Sequence, residues 1–212
     1  MKIAIFGATG RIGQRIADEA LRRGHTVTAV VRDPSKVPPK ERLSAVKGDV
    51  TNPEQVISAV AGQDAVISAV SPEGNESGFG MLSKAARSLL DGLKAADVKR
   101  LIFVGGAGSL DVMPGKQLVD TPEFPAGWKA PALAHRDAFN LLKQDTTLDW
   151  SWLAPAALIE PGQRTGKFRT GVDQLISDDK GASRISMEDY AVAVLDELEK
   201  PRFVRRRATA AY

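Results

Sequence analysis

The first thirteen residues constrain the fold of this chain more than any other stretch. A short apolar run ends at Phe6, and three glycines follow at equal spacing, Gly7, Gly10 and Gly13. Residues 11–23 then repeat apolar side chains at helical intervals. A strand, a glycine turn and a helix in this order are typical of the first half of a dinucleotide-binding fold.

Each glycine has a predicted physical role in that turn. Gly7 allows the chain to leave the strand sharply, with a positive φ if the turn requires one. A Cβ at Gly10 would hold a pyrophosphate away from the backbone, and a Cβ at Gly13 would hold the helix away from the strand. The start of the helix offers free N–H groups and the positive end of a dipole, so we expect a pyrophosphate to bind there.

The length of 212 residues suits one α/β domain. We therefore predict a single NAD(P)-binding Rossmann domain over 1–212, with a doubly wound, mostly parallel sheet and helices on both faces. Loops on the substrate side are expected at about 71–80, 107–131 and 155–184.

Composition excludes several other classes of protein. The chain has no cysteine, so disulfides and thiolate metal sites are impossible, and we predict no metal site. No run approaches the roughly 18 apolar residues of a membrane span, and the N-terminus reads as a strand rather than a signal peptide. The net charge of +3 comes largely from residues 205–207, without the basic, aromatic face of a nucleic-acid-binding protein. We expect a cytoplasmic monomer or homodimer that binds small molecules and neither nucleic acid nor membrane.

Apolar patterning predicts the remaining elements. Helices are expected at 53–61, 81–96, 132–144 and 186–200, and strands at 26–31, 43–47, 64–70, 100–104, 149–154 and 203–212. In a parallel sheet the carboxyl ends of the strands border the ligand crevice.

Arg32 follows the second strand, where dinucleotide folds recognise the adenosine ribose. Two more cations are expected near Arg32: Lys36, which follows it, and Arg11 on the facing glycine turn. Together they favour binding of a 2′-phosphate, because guanidinium pairs with phosphate through two hydrogen bonds. The predicted cofactor is therefore NADP(H). NAD(H) stays possible if Asp33 binds the ribose instead, although Pro34 makes Asp33 a better turn residue. Arg32 as a merely solvated side chain is a third interpretation.

The other strand ends carry further candidates for the crevice. Asp49 is expected to accept a hydrogen bond from the adenine amino group or to cap the helix that follows it, and the two roles are compatible. Ser71 and Pro155 end two more strands, and the small residues from Gly105 to Ser109 either admit a flat nicotinamide or form a plain tight turn.

Three loops are candidates for substrate contacts. The stretch 110–131, with Phe124 and Trp128, is unusually long for a structureless connection and is the main candidate. Residues 162–169 are basic and either clasp an anion or form a turn between short strands. Residues 73–80 are either a lid or a plain connection.

Five motifs give the chain a resemblance that covers nearly its whole length. They are Gly7-Ala-Thr-Gly10-x-x-Gly13, Gly48-Asp49-Val50, Leu148-Asp-Trp-Ser-Trp152 with Pro155-Ala156, Gly162-x-Arg164-Thr165-Gly166-Lys167, and Ile185-Ser-x-x-Asp189-Tyr190-Ala191-x-Ala193. With them the chain resembles the atypical short-chain dehydrogenase/reductases. Within that group it is similar to the small NAD(P)H-binding proteins provisionally described as NADH-flavin reductases, which are related in fold to biliverdin reductase B and the NmrA-like regulators.

The resemblance implies a Rossmann fold with the cofactor lying across the strand ends. It also implies cofactor contacts by Gly7, Thr9, Gly10, Arg11, Ile12, Arg32, Asp49, Val50, Ala69, Val70, Ser71 and Gly105.

One departure from the wider group bears on the chemistry. Short-chain dehydrogenases use a Tyr-x-x-x-Lys pair on the fourth helix, where the lysine lowers the pKa of the tyrosine that donates a proton to a carbonyl. Here His135 lies near that place, and the tyrosines, Tyr190 and Tyr212, lie far along the chain. The candidate catalytic residues are His135 and Ser109. The expected role of His135 is to orient the acceptor or to supply a proton near neutral pH.

This departure favours hydride transfer from NADPH to N5 of a flavin, or to a quinone-like acceptor, because the cofactor then supplies the difficult chemistry. We therefore expect an NAD(P)H-dependent reductase, NADPH-preferring, with flavin as a possible substrate. The alternative is a non-catalytic NADP(H)-binding redox sensor of the NmrA-like type. A nucleotide-sugar epimerase ranks third, since those enzymes also need the tyrosine–lysine pair.

Overall fold

A computed structural model describes residues 1–71 and 80–212 of the chain. Its strands are β1 (Lys2–Phe6), β2 (Thr26–Val31), β3 (Leu43–Lys47), β4 (Ala65–Ser68), β5 (Arg100–Val104), β6 (Asp111–Met113), β7 (Lys116–Gln117), β8 (Asp149–Pro155), β9 (Leu158–Glu160), β10 (Arg169–Val172), β11 (Arg184–Ser186) and β12 (Arg206–Ala211). Its helices are α1 (Arg11–Arg22), α2 (Pro53–Val60), α3 (Gly80–Ala95), α4 (Ala126–Leu142) and α5 (Met187–Glu199).

The main sheet has eight strands in the order β10-β12-β8-β5-β4-β1-β2-β3. All neighbouring pairs are parallel except β10 and β12. The chain order reverses next to β1, between β4 and β2, and such a switch point opens a crevice at the carboxyl edge of a sheet. The predicted fold class, a doubly wound Rossmann sheet, is confirmed. β4 is central, as its continuous apolar sequence predicts.

Alternate residues of each central strand enter different cores, because side chains on a strand point to opposite faces. On one face Ile3 and Ile5 pack with α1 and α5, and on the other Ala4 and Phe6 pack with α2, α3 and α4. Helices therefore cover both faces of the sheet, and the crevice lies along an edge that neither helical layer covers.

Local chemistry fixes the helix ends close to the predicted positions. Gly24 follows α1 with a φ of +88°, the left-handed conformation that ends many helices. The Ser186 hydroxyl accepts a hydrogen bond from the Asp189 N–H and so caps the start of α5. Tyr190, Val194 and Leu198 of that helix are buried.

The start of α4 differs from the prediction. The helix begins at Ala126 rather than Ala132, and Pro131 lies inside it. A proline inside a helix removes one backbone hydrogen bond, so the sequence favoured a later start. Here the carbonyl that loses its donor belongs to Gly127, which is exposed and therefore open to water.

The stretch 110–131 is also not the structureless loop that the sequence predicts. It contains the antiparallel hairpin β6–β7, a short 3-10 helix at Leu118–Asp120, and the first turns of α4. Gly115 at the tip of the hairpin has a φ of +76°, which glycine adopts without strain. The predicted loop at 73–80 lies, apart from Gly80, outside the described residues. Within the described part of the chain, no helix is long and apolar enough to cross a membrane.

Candidate cofactor and acceptor site

A cavity of about 1280 Å³ runs along the carboxyl ends of the parallel strands. Nearly all residues predicted to bind the cofactor line this cavity, although they come from six separate strand ends and the start of α1. These are Gly7, Thr9, Gly10, Arg11, Ile12, Arg32, Asp49, Val50, Ala69, Val70, Ser71, Gly105 and Pro155.

The glycine turn has little space for side chains. Gly7 has a φ of +77°, and a Cβ on it would lie 2.6 Å from the carbonyl oxygen of Ala69. A Cβ on Gly13 would overlap the carbonyl oxygen of Gly7, so Gly13, which does not line the cavity, brings α1 close to the turn. Gly10 begins α1 without a side-chain cap. Gly10, Arg11 and Ile12 line the cavity, so the first N–H groups of the helix, which have no acceptor within it, lie at the cavity wall, and a pyrophosphate fits there.

At the ribose end of the cavity, Arg11 and Arg32 are better placed than Asp33 to contact a ligand. Exposed Arg11 and Arg32 line the cavity, whereas Asp33 and Lys36 are not among its described lining residues. The Asp33 carboxylate accepts hydrogen bonds from the Ser35 N–H, at 3.1 Å, and hydroxyl, at 2.6 Å, and these lower the pKa of Asp33. Asp33 is thus the turn residue that Pro34 predicts, and Lys36 does not join the two arginines.

Asp49 lines the cavity but does not cap α2, so that part of its predicted role is wrong. Its carboxylate accepts hydrogen bonds from the N–H and the hydroxyl of Thr51, both at 2.8 Å. The cap of α2 is Asn52, whose side chain accepts from the Gln55 N–H at 3.2 Å. Both residues precede Pro53 and have side chains suited to capping, so their spacing alone did not decide between them.

The small residues after β5 make room for protein as well as for a ligand. A Cβ on Gly105 would overlap Nε1 of the Trp152 indole, and one on Gly106 would lie 3.1 Å from the His135 ring. Both glycines also line the cavity. The tight turn and an approach by a flat ring are therefore compatible.

Ser109 does not reach the cavity in this structure, so its contacts give no support to the predicted catalytic role. Its side chain is fully buried, donates to the carbonyl oxygen of Gly106 at 2.8 Å and accepts from the Trp152 indole at 3.3 Å. It is not among the described residues that line the cavity. A serine in a Gly-rich turn has the same sequence signature whether it faces the ligand or the core.

His135 lines the cavity from α4, with its ring edge against Trp152 at a centroid distance of 6.0 Å. Its Nδ1 is buried and has no hydrogen-bond partner among the described residues. Burial lowers the pKa of His135 to about 4, because desolvation disfavours the charged ring. The imidazole is therefore neutral near pH 7, which contradicts a role as the charged proton donor but allows it to orient a ligand.

Neither tyrosine takes the place of the missing proton donor. Tyr190 is fully buried, its hydroxyl donates to the carbonyl oxygen of Leu153 at 2.5 Å, and burial raises its pKa. The Tyr212 hydroxyl donates to the Asp189 carboxylate at 2.9 Å. Both residues hold the C-terminal part of the fold together, and neither is among the described residues that line the cavity.

The end of the cavity beyond the strand ends is apolar and aromatic. Phe124 and Trp128 line it, as the prediction for 110–131 requires, and Trp128 is 69% exposed. Ile159 and Met187 line the cavity as well, and the sequence gives no signal for either because each occurs within an ordinary apolar pattern. This end presents aromatic surface to a flat ligand.

The basic segment 162–167 is held by carboxylates of the fold. Arg164 makes two hydrogen bonds of 2.7 Å to Glu19 of α1, and buried Asp189 accepts from the N–H groups of Thr165 and Gly166, each at 2.7 Å. Burial raises the pKa of Glu19, but the hydrogen bonds from Arg164 and Arg23 outweigh it, so the pKa lies below its ordinary value. Residues 162–167 are not among the described lining residues. The structure therefore favours the second predicted role, a turn between short strands, over the first, a loop that binds an anion. This turn stabilises the fold through its contacts with α1 and α5.

Within residues 1–71 and 80–212, no group of three or more His, Asp or Glu side chains could hold a metal ion. The site consists of a phosphate cradle, two arginines, a neutral imidazole and an apolar end. It fits a dinucleotide together with a flat organic molecule.

A family model described as NAD(P)H-binding matches residues 7–201. Three solved structures, each aligned with 100% of this chain, have the same fold. One, from Burkholderia pseudomallei and provisionally named an exported protein, is 53% identical with a TM-score of 0.92 and is covered over 100% of its length. One from Bacteroides thetaiotaomicron, provisionally named an epimerase, is 41% identical with a TM-score of 0.93 and is covered over 96%. The third, from Streptococcus pneumoniae and provisionally named an NADH-flavin reductase, is 33% identical with a TM-score of 0.90 and is covered over 99%.

The environment of His135 predicts an unusual titration. The chain has two histidines, so their ring signals are easily resolved by NMR. We expect one signal to titrate with a midpoint of about 4 and to be missing from a His135→Asn variant. A His25→Asn variant, in which the signal with the low midpoint should persist, is the matched control. A His135 midpoint near 6.5 would contradict the neutral imidazole.

Proposed function

The chain belongs to the NAD(P)H-binding family, and we propose that it is an NADPH-preferring reductase that transfers hydride to a flat, conjugated acceptor such as a flavin or a quinone. The observation that carries the proposal is the single continuous cavity. It begins at the phosphate cradle of the glycine turn and ends among aromatic side chains.

In this proposal the glycine-turn half of the cavity holds the dinucleotide. Gly7, Gly10 and the first N–H groups of α1 cradle the pyrophosphate. Arg11 and Arg32 receive the 2′-phosphate, since guanidinium groups pair with phosphate through two hydrogen bonds. When bound, the reduced nicotinamide supplies a hydride, which carries two electrons and one proton. The second proton of the reduction comes from solvent.

The apolar half of the cavity binds and orients the acceptor. Trp128 offers a ring for stacking, and Phe124 adds apolar surface at the same end. The neutral His135 is placed to hydrogen-bond a carbonyl or ring nitrogen of the acceptor without a charge that would need desolvation. These residues position the acceptor and exclude water, which suffices where the protein need not donate a proton in the slow step.

No tyrosine is among the described residues that line the cavity. This argues against oxidation or reduction of an alcohol or carbonyl, and against epimerase chemistry. Those reactions need a group that moves a proton to or from a carbinol oxygen. A flavin or quinone accepts hydride at an electrophilic centre that is already activated by its conjugation. The NADP(H) sensor remains the competing function, and the same assay tests it.

The acceptor assay uses purified protein, NADPH, and a panel of riboflavin, FMN and simple quinones. We expect acceptor-dependent NADPH oxidation, and a kcat/KM for the acceptor that is about 3- to 10-fold lower in Trp128→Ala, the range that a stacking contact supplies. Trp128→Phe should restore most of the rate, and the Kd for NADPH should change less than about 2-fold in both variants. Tight NADPH binding without turnover of any acceptor would contradict the reductase and favour the sensor.

An Arg32→Ala variant tests the cofactor preference. We expect its Kd for NADPH to rise about 10- to 100-fold, because hydrogen bonds to a charged group contribute about 1.5–3 kcal/mol. Its Kd for NADH, which has no 2′-phosphate, should change less than about 2-fold. Cofactor fluorescence measures both values, and Arg22→Ala, an exposed arginine on the far end of α1, is the control. Equal loss of NADPH and NADH affinity would show that Arg32 does not recognise the 2′-phosphate.

A further inference from the structure

Charge is distributed unevenly along the cavity. Arg11 and Arg32 lie at the end that we assign to the dinucleotide. The opposite end of the cavity is aromatic. Among the described residues that line it, Glu123 alone carries a formal charge at neutral pH, since the His135 ring is neutral. The acceptor end is therefore apolar with one acidic group at its exposed margin.

The basic side chains on elements around this end are already occupied or do not line it. Arg136 of α4 makes hydrogen bonds of 2.8 and 3.0 Å to the two oxygens of Asp120. Arg207 of β12 is buried and binds Asp111 at 2.8 Å and Asp173 at 3.0 Å. Lys129 of α4 is not among the described lining residues.

An anionic substituent would find no partner at such a surface. A charged group that leaves water without a counter-ion or hydrogen-bond donors loses much of its solvation energy. Glu123 adds repulsion, which acts over several ångströms and is weakened by salt. An uncharged ring system has neither cost and gains from apolar contact with the aromatic side chains.

We propose that the aromatic end of the cavity selects uncharged flat acceptors, of the class of riboflavin or an alkyl quinone, over their phosphorylated counterparts, and that Glu123 contributes to this selection. The inference rests on the proposed function, and the reaction is the same hydride transfer with the second proton from solvent. It adds the charge class of the substrate, which the fold does not determine.

The test compares riboflavin with FMN, which share one ring system and differ by a phosphate. Dissociation constants are measured by quenching of flavin fluorescence in the presence of NADP⁺, so that no turnover is needed, and kcat/KM is measured separately with NADPH. At an ionic strength of about 20 mM we expect riboflavin to bind at least about 5-fold more tightly than FMN. In 0.5 M salt the ratio should fall about 2- to 3-fold, because salt screens the repulsion from Glu123 but does not remove the cost of lost solvation.

Substitutions assign the effect to its residue. Glu123→Gln should lower the ratio about 2- to 3-fold, and Glu123→Lys should bring FMN to parity or better. Glu41→Gln is the matched control, because this exposed glutamate precedes β3 and so lies at the opposite edge of the sheet. It should leave the ratio unchanged.

The outcomes separate the inference from the function it rests on. Tighter binding of riboflavin, with no NADPH oxidation by either flavin or by any quinone of the panel, would support the charge preference and remove the reductase. Turnover of both flavins with FMN bound equally or more tightly would overturn the charge preference and leave the reductase standing. A failure of both flavins to bind, or a ratio that Glu123→Lys does not move, would also overturn the inference.

Discussion

Close contact between the start of α1 and the turn after β1 is the constraint on which the site depends. A Cβ at Gly13 would overlap the carbonyl oxygen of Gly7, and a Cβ at Gly7 would lie 2.6 Å from that of Ala69. Backbone atoms cannot retreat from such contacts as a flexible side chain can, so the turn has one arrangement. That arrangement aims the N-terminus of α1 at the cavity, and the neighbouring strand ends supply the remaining walls.

A network of carboxylates holds the same helix from its other side. Glu19 of α1 binds Arg164, Glu188 of α5 accepts from the Arg15 guanidinium at 2.6 Å, and buried Asp189 fixes the backbone of the segment that carries Arg164. The Arg164–Glu19 and Arg15–Glu188 contacts join residues that are 145 and 173 positions apart in the chain. The basic and Gly-rich segment 162–167, which has the composition of an anion-binding loop, is in this way part of the support of the cofactor turn.

The sequence predicts the elements whose signals are local. The positive φ of Gly7, the close approach of helix and turn at Gly13, and the apolar runs of the central strands all depend on neighbouring residues, and these predictions are confirmed. It fails where tertiary context decides: α4 continues through Pro131 because the carbonyl concerned is exposed, and Asn52 rather than Asp49 caps α2. Ser109 and His135 both follow patterns that suit catalysis, and only burial shows that one is enclosed and the other uncharged. Met187 gave no signal, since an apolar residue at a helix start is ordinary.

The central claim, that the glycine turn holds a dinucleotide and the segment 162–167 does not, is tested most directly by amide hydrogen exchange with and without NADPH. Bound phosphates that accept hydrogen bonds from the first N–H groups of α1 should slow exchange there. We expect slower exchange at residues 10–13 and 105–108, and unchanged exchange at residues 162–167. Protection confined to residues 162–167, with none at the start of α1, would contradict the account.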